Sequence, residues 1–396
     1  MKTVISCLIS ALVSISINAE SINDCNDPNF HSLETPESAR RECGPAFKNR
    51  CYCLTTCYDD RLQYVVNCTN TGFQDTSPLL HLPNDTQVLI FTGNELEELP
   101  WNVFGTLDNL PYLRVIDMSN NNIREIRGKA YHHVQHVERL ILNFNKLSLD
   151  PARSHPRVFS NFVSLLELHL TNAFETGSPK NLASTLHDIF VRSNLTKLMK
   201  LHLEQNNISE FRDANVFCDL PNLLHLYLGD NNLTALHFNL SCLHNLSFLD
   251  LRRNRFTRVL ERDLHVIDHL AKHNRSFSVD FSANPFECSC KLNPFVKWMN
   301  KTKVSIAHKS SLRCYEGNAR YDFYETKNCV PKLLASTRRG TTVILCFLSV
   351  VLIVLMCALF YLQRTKLQKR IEPVLDSISK RVRYTSIATG DAREDV

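Results

Sequence analysis

Residues 220–256 read LPNLLHLYLGDNNLTALHFNLSCLHNLSFLDLRRNRF, and they state one pattern twice. Leu223, Leu226, Leu228, Asn231 and Leu233 recur as Leu246, Leu249, Leu251, Asn254 and Phe256, a shift of 23 residues. The spacing L-x-x-L-x-L-x-x-N-x-L makes each unit one short strand and a return path, too small to bury its own leucines. Stacked units fill a continuous core, and their asparagines form a ladder whose side-chain amides satisfy backbone groups of the turning chain. A chain with this pattern is constrained to a solenoid.

The period falls within the roughly 20–29 residues of leucine-rich repeats. Ladder positions lie at Asn94, Asn121, Asn145, Ala173, Asn206, Asn231, Asn254 and Asn284, with intervals of 27, 24, 28, 33, 25, 23 and 30. The expected fold is an α/β repeat solenoid, a leucine-rich repeat horseshoe over residues 69–284, irregular near 171–197. The weak repeat is SLLELHLTNAF, where Ala173 replaces the amide. A polar insertion follows over residues 175–193, and Thr176-Gly177-Ser178-Pro179 marks a loop. It is either a plain surface loop or a kink that divides two rigid halves and offers a recognition loop.

A net charge of +5 is too mild for a nucleic-acid binder, so no such partner is expected. Residues 1–19, with Lys2 before an apolar run and Ala19 before the cut, form a secretory signal peptide. Residues 341–362 are free of charge and long enough to span the hydrocarbon layer. Arg364, Lys366, Lys369 and Arg370 follow, as the positive-inside tendency requires. These features predict a type I plasma-membrane protein with its N-terminus outside, a stalk at 331–340 and a cytoplasmic tail at 363–396.

Twelve of the fifteen cysteines lie between the two apolar runs, in clusters that point to disulfides in an oxidising compartment. Cys218 and Cys242 are 24 residues apart at nearly the same point of successive repeats, a spacing that predicts a bridge between neighbouring turns. Residues 20–68 carry Cys25, Cys43, Cys51, Cys53, Cys57 and Cys68; residues 285–330 carry PFECSCKLNPFVKWM, then Cys314 and Cys329. Both clusters resemble the cysteine-rich caps that close extracellular leucine-rich repeat proteins. The resemblance implies Cys43–Cys53 and Cys51–Cys68, with Cys25–Cys57 as an added staple, and Cys288–Cys314 with Cys290–Cys329.

No HExxH, P-loop, GxSxG or EF-hand motif occurs, so no catalytic residue, resident metal or cofactor is expected. What the repeats offer is a sheet whose residues between the leucines face out. The expected concave binding face comprises Ile90, Asp117, Arg139, Ile141, His169, Lys200, His202, Tyr227, Phe248 and Asp250, and its partners are extracellular or cell-surface proteins. His169, His202 and His225 fall on neighbouring strands, where they are either solvated surface residues or a metal or acid-sensing group.

Sequons occur at Asn84, Asn194, Asn207, Asn232, Asn239, Asn245, Asn274 and Asn300, and at Asn67 before a bonded cysteine. In the tail, Ile371, Val374, Leu375, Ile378 and Val382 recur at helical spacing among basic residues. That segment is either a helix on the anionic inner leaflet or an unstructured basic flank. The ending Glu394-Asp395-Val396 has the form that a cytoplasmic PDZ domain accepts by strand addition.

LIFTGNELEELPWNVF, ILNFNKLS, the broken repeat LLELHLTNAFE, the C-terminal cap, the single span and the short tail ending in Asp395-Val396 together resemble the trophoblast glycoprotein family and its invertebrate relatives. Cys25, Cys57 and Glu394 depart from that family's pattern. The resemblance implies a glycosylated surface protein that restrains Wnt/β-catenin signalling. An adhesion or synapse-organising receptor acting in trans is the alternative. An innate immune receptor is a third class, for which this chain lacks an intracellular signalling domain.

Overall fold

The structure, a computed structural model, describes residues 25, 43–148, 158–177, 179–274, 276–323, 343–363 and 374–378. It divides into two compact units, Met1–Thr326 and Lys327–Val396. In the first unit a hairpin, β1 (Tyr52–Tyr58) and β2 (Arg61–Asn67), leads into the repeats. β3 (Val88–Ile90), β4 (Glu98–Leu99), β5 (Val115–Asp117), β6 (Glu125–Ile126), β7 (Arg139–Ile141) and β8 (Glu167–His169) follow. Then come α1 (Pro179–Phe190), β9 (Lys200–His202), β10 (His225–Tyr227), β11 (Phe248–Asp250), α2 (Glu261–His273) and β12 (Ser278–Asp280). β13 (Phe286–Glu287), α3 (Asn293–Lys301), β14 (Ser305–Ala307), β15 (Arg313–Glu316) and β16 (Ala319–Asp322) close the unit.

The leucine-rich repeat solenoid expected from the spacing is present. Eleven strands form one sheet in the order β1-β2-β3-β5-β7-β8-β9-β10-β11-β12-β14. Apart from the antiparallel hairpin, each strand pairs in parallel with the next, residue for residue. A repeat strand has three residues, so its middle side chain (Leu89, Ile116, Leu140, Leu168, Leu201, Leu226, Leu249 or Val279) points into the core and is fully buried.

The chain leaves each strand through a residue in the left-handed region immediately before the ladder position: Gly93, Asn120, Phe144, Asn172, Gln205, Asp230, Arg253 and Ala283. That sharp turn leaves backbone groups inside the coil, and the buried ladder amide takes them up. Asn254 is typical: its Nδ2 donates to Leu228 O at 2.8 Å, and its Oδ1 accepts from the Leu233 N–H at 3.0 Å. At the rung where Ala173 offers no amide, a backbone bridge joins Leu147 to Phe174.

The insertion expected to be a loop or a kink is neither. Residues Pro179–Phe190 form the helix α1, whose Ala183, Leu186, Ile189 and Phe190 are buried. β8 pairs with both β7 and β9, so the sheet runs through without a break. The added length lies wholly on the return path.

Disulfides join Cys25 to Cys57, Cys43 to Cys53 and Cys51 to Cys68 at one end, and Cys288 to Cys314 at the other. Cys218–Cys242 ties successive repeats. Cys290 is also disulfide-bonded, while Cys329 lies outside the described residues. In the C-terminal cap Phe295 packs against Phe281 and Phe286 and seals the core.

In the second unit the helix α4, Val343–Gln363, is long and apolar enough to cross a membrane. Residues 374–378 are helical. The expected signal peptide at 1–19, the stalk, most of the tail and Glu394, Asp395 and Val396 lie outside the described residues.

Candidate protein-binding face

Because middle residues point inward, the first and third residues of each strand form two rows on the solvent side of the sheet. Parallel register places Ile90, Asp117, Ile141, His169, His202, Tyr227, Asp250 and Asp280 in one row, each beside the next. Val88, Val115, Arg139, Glu167, Lys200, His225, Phe248 and Ser278 make the other.

Both ends of these rows are occupied by the protein itself. Val65, Val88 and Val115 form a buried cluster against which Tyr58 and Ile90 pack. Ile90, expected on the open face, is thus largely taken up by the cap hairpin. Burial also raises the Tyr58 hydroxyl above its usual range. The hairpin tip reaches further, and Asp59 pairs with Arg139 on β7. A recess of about 250 Å³ lies there, lined by Asp59, Arg61, Arg114, Arg139 and Glu167 among others.

At the far end, Asp250 is only 1% exposed, which corrects its expected place on the open face. Its Oδ1 accepts the Arg252 N–H at 2.9 Å, and the Arg252 guanidinium lies 3.0 Å away. Burial pushes its carboxyl up to about 6. A Cβ on Gly229 would sit 3.0 Å from Asp250 Oδ2 and 3.2 Å from Arg252 Cγ, so a larger residue there would press on this carboxylate and its arginine. Asp280 is buried as well; it accepts from Ser282 N at 2.8 Å and lies 2.9 Å from His308 Nδ1 of the C-terminal cap.

Between these ends the sheet is open, and its centre is a stack of rings. His169 and His202 lie face to face with centroids 4.1 Å apart and planes 10° apart. His202 and Tyr227 repeat this geometry at 4.1 Å and 11°. Phe248 continues the file at 5.5 Å, tilted by 59°, and His225 meets Tyr227 and Phe248 edge-on. Since the faces are covered by neighbouring rings, the surface presents ring edges with their N–H, C–H and O–H groups.

Charges border the stack in matched pairs. Glu167 lies 2.7 Å from Arg139, 2.8 Å from Lys200 and 3.4 Å from His169. His169, then Lys200 and Arg139, hold its carboxyl far below the usual range. Burial raises Glu204, but contacts from His202 at 3.1 Å and from the Thr171 hydroxyl at 3.0 Å outweigh it, so its pKa is lowered. Burial is the main cause that lowers His169, and it lowers His225 with help from Lys200.

The three histidines do not converge on one point: two are stacked and the third stands edge-on to the file. Among the described residues no group of three or more His, Cys, Asp and Glu side chains is arranged to hold a metal ion. A larger recess of about 640 Å³ lies away from the rings, lined by Asp75, Glu95, Glu97, Glu98, Arg124 and Lys146 among others. It lacks the aromatic anchors that distinguish binding surfaces. His169, His202, Tyr227 and Phe248 all belong to the face expected from the repeat spacing; their stacking into one file is what the structure adds. Its signal is that His169, His202 and Tyr227 occupy the same strand position in consecutive repeats.

A family model described as leucine rich repeat matches residues 84–147 and 184–256. Trophoblast glycoprotein of Macaca fascicularis is 24% identical over 278 residues, covering 68% of this chain and 64% of the relative. The crystal structure of human 5T4 (Wnt-activated inhibitory factor 1, trophoblast glycoprotein) superposes with a TM-score of 0.56 at 26% identity, covering 64% of this chain and 88% of that one. The chain carries leucine-rich repeats and resembles trophoblast glycoprotein in sequence and fold. Human Toll-like receptor 5 is 28% identical over 222 residues, 55% of this leucine-rich repeat chain and 23% of the receptor. Each of these two curated relatives is thus matched over less than two thirds of its own length.

Proposed function

We propose that this leucine-rich repeat protein is a type I plasma-membrane glycoprotein that binds another protein across the His169–Phe248 file and thereby restrains Wnt/β-catenin signalling. The carrying observation is the file itself: aromatic side chains gathered on an otherwise charged sheet, half-buried, bordered by neutralised ion pairs and free of the caps at either end. The likeness to the protein whose other name is Wnt-activated inhibitory factor 1 supports the pathway. The apolar helix α4, with the basic residues after it, supports one crossing and a cytoplasmic tail. The reading is of a binding protein and not of an enzyme.

A β-catenin reporter in cells with and without the protein tests it. Expression should lower the Wnt-stimulated signal, and the double variant Tyr227→Ala, Phe248→Ala should restore it at equal surface level. An indifferent reporter would discard the pathway, and clustering of expressing cells with partner cells would favour adhesion in trans instead.

A further inference from the structure

The eight sequons from Asn84 to Asn300 differ in what their amides already do. N-glycosylation joins Nδ2 to the anomeric carbon of a polyprenyl-diphosphate-linked oligosaccharide. The N–C bond forms as the anomeric C–O bond breaks, the lipid diphosphate leaves with the electron pair, and the amide loses one proton to a base. One N–H remains, and the sugar takes the space of the other. A folded protein therefore tolerates a glycan only where one side of Nδ2 is open.

Asn84, Asn194, Asn207, Asn239, Asn245 and Asn300 are exposed. Of these, Asn239 donates one hydrogen bond to Asn215 Oδ1 at 3.2 Å and Asn245 one to Pro221 O at 2.9 Å, which leaves each a second hydrogen to replace. The remaining two are half-buried and hold two acceptors each. Asn274 Nδ2 lies 3.1 Å from Leu246 O and 3.5 Å from Asn245 O, while its Oδ1 accepts from both the N–H and the hydroxyl of Ser276. Asn232 Nδ2 lies 3.4 Å from both the carbonyl and the side-chain oxygen of Asn207, itself a sequon on the turn below.

We propose that the folded protein carries N-glycans on the six exposed sequons and none on Asn232 and Asn274. Transfer precedes completion of the fold, so a sugar on Asn274 would hold the turn before β12 away from the preceding repeat. Such chains do not complete the solenoid. The inference rests on the surface reading above and adds to it: Asn232 follows β10, so the end of the strand bearing Tyr227 carries no sugar of its own, while Asn245 places one just before β11, the strand of Phe248.

The test is glycopeptide mass spectrometry on the full-length protein recovered from the surface of mammalian cells. Most molecules should be modified at each of the six exposed sites and unmodified at Asn232 and Asn274. In parallel, Ser276→Ala, which destroys the Asn274 sequon, should leave electrophoretic mobility unchanged, whereas Asn194→Gln should remove the mass of one glycan. Majority occupancy at Asn232 or Asn274, or a faster-running Ser276→Ala, overturns the inference and leaves the surface reading intact. No sugar at any of the eight overturns both.

Discussion

Asn206 serves four backbone groups at once. Its Oδ1 accepts from Ala173 N at 2.9 Å and Phe174 N at 3.4 Å, and its Nδ2 donates to Leu170 O at 2.7 Å and Glu204 O at 3.0 Å. Because the rung before it is alanine, it bears the weakest turn of the ladder. Asn206→Ala should cost about 3 kcal/mol, since each buried polar group left unpaired costs roughly 1–3. Urea unfolding of the oxidised protein measures it, and a loss no larger than a surface substitution gives would refute the role. Asp250 makes a second prediction. Its carboxyl is raised to about 6 in the folded chain. Between about pH 4 and 6 the native state keeps a proton that the unfolded chain has released, so this group makes stability fall as pH rises, by up to about 3 kcal/mol. His169 and His225, lowered in the fold, act in the opposite sense as pH falls below their ordinary range. Glu167 and Glu204, lowered too, act in that opposite sense only below about pH 4.5. The difference between the wild-type and Asp250→Asn stability curves isolates the Asp250 share: it should grow from pH 4 to 6 and then stay level.

At the scale of elements, α1 shows where sequence reading succeeds and stops. The strands were legible because the repeat anchors each one independently, so Leu226 and Leu249 could be aligned before any contact was known. The insertion's polarity and its Gly-Ser-Pro start argue for a loop or a kink, although Leu182, Leu186, Ile189 and Phe190 keep helical spacing. Covering of Ile90, Asp250 and Asp280 was not legible, since it depends on caps that approach from distant sequence. If α1 is a true part of the core, Leu186→Ala should destabilise the protein by about 3 kcal/mol, the usual cost of emptying a fully buried leucine site. A negligible change in the unfolding midpoint would mean that the helix is only laid on the surface. The staple Cys218–Cys242 closes a loop of 24 residues in sequence. Replacing both cysteines by alanine should cost about 3.5 kcal/mol by the loop-entropy relation, read from the same unfolding curves.

For the whole repeat unit, stacking means that a repeat touches chiefly its neighbours. Damage should therefore stay local. In Asn206→Ala, amide hydrogen exchange should quicken in β8, β9 and β10 while the hairpin and the C-terminal cap keep their protection. Uniform loss of protection would show instead that the coil melts as one block. The unbroken pairing of β7, β8 and β9 past a long insertion carries a consequence for descent. A lineage can lengthen or trim the back of a turn almost without penalty, whereas one residue added inside a three-residue strand would reverse which side chains meet water. Divergence in this molecule should thus be written in the lengths of its return paths, with the ringed front held to a fixed meter.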